Sequence, residues 1–290
     1  MAGTILFTGA NGSSGAHAAG HLLKTYPQYT AIFTVRDASD DDLNTRNLRE
    51  VISRHPNSHA SIHQLDLASL DSVHGFATEL SSAIESGQYP PLKAIVANAF
   101  YWDLVGDSEF TVDSFDKTIQ ISHIVAHFRK KTRMSPYLPD LPADLDELLR
   151  PCPDKDKQGR GFQRYSNAKL LITTWIYPLN GYLSLNPKFQ NITAIAVNPG
   201  GLGDSRCFRT NAPRFIQFMA RFVPKPLIPV INRLADPTFR SSVEVGYFTL
   251  LKNDESDSLT LNLDMQTKVW KKSAEWARIT KENTALADGL

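Results

Sequence analysis

Thr4-Ile5-Leu6-Phe7-Thr8-Gly9-Ala10-Asn11-Gly12-Ser13-Ser14-Gly15 decides how the rest of the chain is read. A β-rich apolar run meets Gly9 at once, Gly, Asn and Ser crowd through Gly15, and an Ala- and Leu-rich stretch follows to Leu23. The pattern spells strand, glycine turn, helix. In that position small residues let backbone N–H groups and the amino end of a helix approach a pyrophosphate. Alone, a glycine triplet also fits an ordinary tight turn, so the neighbouring text has to decide.

Outward from this turn the alternation continues. Thr30 to Val35 reads as a second strand ending at Arg36, and Ser61 to Leu65 as a third ending at Asp66. Val73, Phe76, Ala77, Leu80 and Ile84 recur at helical spacing, as the apolar stripe of a crossover helix should. Leu92 to Ala97 makes a fourth strand, ending at Asn98. Strands and helices alternating at this interval predict an α/β fold, a Rossmann-like doubly wound parallel sheet covered on both faces.

Beyond Phe115 a helix is expected to about Phe128, and Arg129-Lys130-Lys131-Thr132-Arg133 stands where a fifth strand is due. The sheet is therefore expected to be missing or rearranged at its fifth strand. Prolines punctuate an irregular excursion to Pro153, with one short helical candidate from Ala143 to Leu149. A long helix from about Tyr165 to Leu183, a strand from Ile192 to Val197, a last strand from Tyr247 to Leu251 and an amphipathic helix near Gln266 to Ile279 complete the reading. No linker or repeat divides residues 1–290, so a single nucleotide-binding domain is expected.

Composition narrows the function. With 31 Lys+Arg against 30 Asp+Glu, a formal charge of +1 and no sustained basic or acidic run offer no electrostatic footprint for nucleic acid or an anionic membrane, and neither is expected as a partner. Two cysteines, Cys152 and Cys207, build neither a disulfide framework nor a zinc site. No apolar stretch approaches the roughly 18 residues that cross a bilayer, and no secretory leader is legible, so a cytoplasmic location is expected. Asp103, Asp107 and Glu109, and the pair His123 and His127, read as a solvated loop and as core or interface histidines, so no metal is predicted.

Arg36 at the tip of the second strand can fork onto a ribose 2′-phosphate, where an acidic residue would take the 2′-hydroxyl of NAD. The reading favours NADP(H). Asp66 and Asn98 close strands at the edge where doubly wound sheets bind ligands. Tyr165 and Lys169 are four residues apart on a helix, so both emerge from one face about 6 Å apart. A phenol with a pKa near 10 is a weak base at neutral pH, and an adjacent ammonium favours its phenolate.

Together these residues resemble the short-chain dehydrogenase/reductase family. The resemblance runs from Thr8–Gly15 at the cofactor turn through Asp66-Leu67, Asn98-Ala99 and Tyr165-Ser166-Asn167-Ala168-Lys169 to Asn198-Pro199-Gly200. It implies that Tyr165 exchanges a proton with a carbonyl or alcohol, that Lys169 holds the nicotinamide ribose and tunes Tyr165, and that NADP(H) carries the hydride. It assigns Gly9, Asn11, Gly12, Ser13, Ser14, Gly15, Arg36, Asp66, Asn98, Pro199 and Gly200 to the cofactor. Ser122 stands where the family's helix offers an asparagine to a relay water. The long insert before Tyr165 is similar to a branch frequent in filamentous fungi, often in specialised metabolism.

The departures are as informative. Ser13 replaces one glycine of the turn, and Phe100 the glycine after Asn98-Ala99. The serine that would hydrogen-bond the reacting oxygen belongs to the absent fifth strand, and Ser135 is its only nearby substitute. Two other readings stay open: an impaired relative that binds a nucleotide without turnover, and a non-redox isomerase or cyclase. Phe100, Tyr101, Trp102 and the segment from Phe208 to Phe222 are either a pocket for a bulky substrate or core. A small-molecule carbonyl or alcohol is the expected partner, with a homo-oligomer left possible.

Overall fold

The computed structural model describes residues 2–123, 137–151, 153, 155–197, 201–202, 206, 209–222, 239–240 and 258–286. Strands β1 (Thr4–Thr8), β2 (Thr30–Val35), β3 (His59–Gln64) and β4 (Leu92–Val96) form one parallel sheet in the order β3-β2-β1-β4. The first two strands stand at their expected bounds and the other two within two residues of them. Between them run α1 (Ser13–Thr25), α2 (Leu43–Ser53) and α3 (Leu70–Glu85). The α/β architecture is that of a Rossmann-like fold.

The sheet is well covered at its centre and exposed along β4. All of β2 is buried, and Phe7, Phe33, Val35 and Leu48 pack with Ala18, Ala19 and Leu23 of α1. The small buried residues Gly15, Ala16, Ala18 and Ala19 let α1 press closely onto the strands. In contrast, β4 is exposed from Leu92 to Ile95, and α3 buries only Leu70, its predicted stripe lying half-covered. Helix α2 was not foreseen; Asp42 starts it by accepting from the amides of Asn44 and Thr45.

A second apolar cluster holds the later helices. α4 (Lys117–Ser122), a 3₁₀ turn at Leu145–Leu148, α5 (Lys157–Leu185), α6 (Arg214–Phe222) and α7 (Leu263–Trp276) follow in order. Ile119, Leu145, Leu149, Ala168, Leu171 and Val269 pack together, and Trp270 stacks on Trp175 at 5.6 Å. Asp113 ties this cluster to the sheet: it accepts from the Leu70 amide, from Gln120 and from Arg278.

Residues 192–197, read as a strand, take no regular structure. Ile192 and Ile195 are exposed, and the segment is held to α5 by the Asn180 side chain, which binds the N–H and C=O of Ala194. A strand needs a neighbouring ladder, and β4, the nearest in sheet order, is not paired with it. Two-residue strands β5 (Gly201–Leu202) and β6 (Phe239–Arg240) pair separately. The helix expected to Phe128 is described only through Ser122. The shortened stretch with Ser135, and the strand from Tyr247 to Leu251, lie outside the described residues.

Candidate active site

The glycine turn is shaped by backbone proximity. Gly9 has φ +63°, and a Cβ there would come within 2.9 Å of the Ala99 Cα. A Cβ on Gly15 would stand 2.6 Å from the Gly9 carbonyl oxygen, so the first turn of α1 needs a residue without a side chain at that position. Gly12 precedes α1, and no side-chain cap satisfies the helix's first amides. The amino end of α1 is therefore compatible with an anion.

Asn98 holds the turn from the neighbouring strand. Its side-chain amide donates to the carbonyls of Thr8 and Gly9, at 3.2 and 3.1 Å, and accepts weakly from Ser14 at 3.5 Å. The Thr8 hydroxyl accepts from the amides of Asn98 and Ala99. Asn11 donates to Thr45 of α2, and Ser13 accepts from the Arg206 amide at 3.0 Å. Several of the residues assigned to a cofactor thus first brace the loop that would bind it. Pro199 and Gly200 lie outside the described residues, but Arg206 shows the segment after them reaching the turn.

Arg36 is exposed at the end of β2. Neighbouring Asp37 is engaged with Ser39, whose hydrogen bonds are the main reason its carboxyl is held below the usual range. Asp66 accepts from the Ala68 amide and its own amide donates to Ser72, fixing the corner after β3.

The segment 98–102 leads from this turn to α5. Phe100 and Trp102 meet the Tyr165 ring edge-on, at 6.2 and 5.7 Å between centroids. Lys169 Nζ lies 5.1 Å from the Tyr165 ring centre and 5.9 Å from that of Phe100. Lys169 is buried, and burial pulls its ammonium down to about 7. Gly161 lets α5 pass this close, because a Cβ there would sit on the carbonyl oxygen of Asp103. Sequence reading missed Gly161, and only the close approach of two distant segments gives it meaning.

Ser122 is placed differently from a relay residue. Its hydroxyl donates to the Tyr101 carbonyl at 2.8 Å and accepts from the Tyr101 amide at 2.9 Å. It fixes the Phe100–Trp102 segment. Tyr101 is not a second base, since burial and then Glu109 push its phenol well up. His123 is half-buried near Lys169; desolvation first, and then that lysine's charge, bring it down to about 4. The acidic residues after β4 are occupied: Asp103 accepts from the amides of Val105 and Gly106, Asp107 pairs with Lys157 and Glu109 with Lys117.

A glycine turn at the carboxyl edge of a parallel sheet, with a buried lysine beside a tyrosine, defines a nucleotide-binding oxidoreductase class. The comparisons agree. Residues 240–286 match the AcuH dehydrogenase domain family. The short-chain dehydrogenase iccH of Talaromyces variabilis is 23% identical over an alignment covering 98% of each chain. The dehydrogenase acuH of Aspergillus aculeatus is 34% identical over 97 residues, 27% of this chain and 98% of that one. The chain belongs to the short-chain dehydrogenase/reductase family. Among solved structures, an uncharacterized Mycobacterium paratuberculosis protein has a TM-score of 0.57 at 19% identity, covering 95% of this chain and 93% of that one. A Serratia marcescens short-chain dehydrogenase/reductase variant has 0.53 at 14%, covering 85% and 88%. These two show the fold.

The alignment with the Talaromyces relative is 362 positions long against 290 residues here, so long stretches of that relative stand opposite gaps. That is in keeping with a shortened chain.

Proposed function

We propose that this protein is an NADP(H)-dependent short-chain oxidoreductase that interconverts a carbonyl and a secondary alcohol. The observation carrying the reading is the buried Lys169, 5.1 Å from the Tyr165 ring, joined to the glycine turn through Asn98 and Phe100. Gly9 to Gly15 and the first amides of α1 would hold the pyrophosphate, Arg36 the 2′-phosphate, Asp66 the adenine side, and Lys169 the nicotinamide ribose. When bound, NADP(H) supplies or accepts the hydride. Tyr165 gives its phenolic proton to the substrate oxygen during reduction and recovers one during oxidation. The charged form of Lys169 favours the phenolate and is held below pH about 7.

The fungal sources of both relatives support a place in fungal specialised metabolism, and the cysteine content supports a cytoplasmic location. A homo-oligomer fits the same reading. Assaying NADPH oxidation against a carbonyl panel tests it. The parent protein should turn over, and Tyr165→Phe should be slower by roughly 10²- to 10⁴-fold; equal rates in the two proteins refute the assignment.

One observation favours a second reading. With Ser122 committed to the Tyr101 backbone, no described residue supplies the serine that the family uses at the reacting oxygen. Losing one such donor costs roughly 10²- to 10³-fold in turnover, enough to leave a slow enzyme or a nucleotide binder. NADPH binding without product would select that reading, and a product of unchanged mass would select isomerisation.

A further inference from the structure

Between the stretch 137–151 and the back of α5 lies a cleft of about 330 Å³, within the range of roughly 300–1,000 Å³ that small-molecule sites occupy. The proposed reaction makes no use of it. Arg160, Gln163, Arg164 and Asn167 line it from α5, spaced i, i+3, i+4 and i+7 and therefore on one stripe of the helix. At 100° per residue, Tyr165 and Lys169 fall on the opposite side. The facing wall carries Asp140 and Glu147, and Ile119 and Leu148 add apolar surface.

The polar groups of the cleft are layered. Asn167 is 7% exposed, and its side-chain oxygen accepts from the Asp140 amide at 2.9 Å. Its Nδ2 makes no hydrogen bond and is not sealed inside the protein, so this donor opens on the cleft that the residue lines. Arg164, buried beside it, faces Asp116 at 3.8 Å, and Arg160 is steadied by its stack on Tyr137 and its bond to Gln163. Asp140 and Glu147 are exposed, and neither carboxylate has a hydrogen-bond or ion-pair partner. Donors thus stand deep and acceptors at the rim.

We propose that this cleft binds a small zwitterion, an α-amino acid with an apolar side chain. Its carboxylate meets Asn167 Nδ2 beside Arg164, its ammonium meets Asp140 and Glu147, and its side chain lies on Ile119 and Leu148. Both charged ends then find charge-assisted hydrogen bonds. Charge argues for this class: with Asp116 behind Arg164, three carboxylates and two guanidiniums surround the space, which disfavours a simple anion, while a simple cation would leave the buried Asn167 donor unused. Because Tyr165 lies on the far side of α5, this ligand and the cofactor can be bound together.

Isothermal titration of the full chain with L-phenylalanine and with L-leucine tests the proposal. At least one should bind saturably, with the same affinity in the presence and absence of NADPH. The matching acid without the ammonium (3-phenylpropionate or 4-methylpentanoate) and the methyl ester without the carboxylate should each bind about tenfold more weakly or worse. Asp140→Asn with Glu147→Gln should weaken the amino acid about tenfold and leave the acid lacking the ammonium unaffected. Asn167→Asp keeps the oxygen that accepts from the Asp140 amide but removes the donor, and should weaken both ligands by a similar factor. Melting curves confirm that each variant is folded, and the exposed Asp140/Glu147 pair decides the matter if Asn167→Asp does not fold. No binding of either amino acid, equal affinity for the amino acid and its two analogues, undiminished affinity in the folded Asp140/Glu147 variant, or displacement by NADPH overturns the proposal.

Discussion

The centre of the sheet and its β4 edge are built differently in this chain. In β2 every strand residue is buried, α1 and α2 cover one face, and glycines stand where a Cβ would strike backbone. At the β4 end four of five strand residues are exposed, and residues 192–197, apolar enough for a strand, lie unpaired. The contrast separates what local sequence can build from what a neighbour must supply. The glycine turn closes with bonds to Thr8, Gly9 and Asn98, within reach of adjacent strands. A strand at the far end requires a partner ladder, and the chain is short where one was expected.

The largest expected effect breaks the well-built centre. Gly15→Val should clash with the Gly9 and Ala10 carbonyls, destabilise by about 1–3 kcal/mol and abolish NADPH binding. Chemical denaturation with a cofactor titration measures both; an unchanged midpoint would deny that α1 needs this glycine.

Lys169→Met attacks the later half with a different signature. Turnover should fall at least about 100-fold, while stability at neutral pH is kept. In the parent, the folded pKa of about 7 lies below the unfolded value near 10.4. The unfolded chain then binds the extra proton, so stability rises as pH climbs from about 7 to about 10. That slope should vanish in Lys169→Met, as melting curves across the range will report.

Asp116 carries the opposite sign. It caps α4 through Ile119, faces Arg164 at 3.8 Å, and burial raises its carboxyl to about 6. Between pH about 4 and 6 the folded chain keeps a proton that the unfolded chain has released, so stability falls as pH rises. His123, lowered to about 4, works the other way in nearly the same window. Comparing Asp116→Asn with the parent isolates the carboxylate, and the variant should lack a fall on the order of 3 kcal/mol. The smallest effect is Gly75→Ala: a Cβ there meets nothing, and this helical site should gain about 0.5–1 kcal/mol.

Local patterning made β1, β2, the glycine turn and the Tyr165–Lys169 helix legible, because their signals lie within a few residues. Helix α2 was missed: apart from Asp42 its start has no acidic first turn, and only Thr45 and Leu48 are buried. The strand at 192–197 failed for the converse reason, since β-propensity acts only with a partner. Of Phe208 to Phe222, left between pocket and core, Phe215 and Phe218 are exposed, while Phe208 lies outside the described residues. The roles of Ser122 and Gly161 depend on Tyr101 and Asp103, which no spacing rule connects to them.

NADPH titration read by melting temperature tests most directly whether glycine turn and lysine serve one site. The account predicts a saturable rise in the parent, none in Gly15→Val, and an apparent affinity about tenfold weaker in Lys169→Met. A Lys169→Met curve superimposable on the parent's would contradict it.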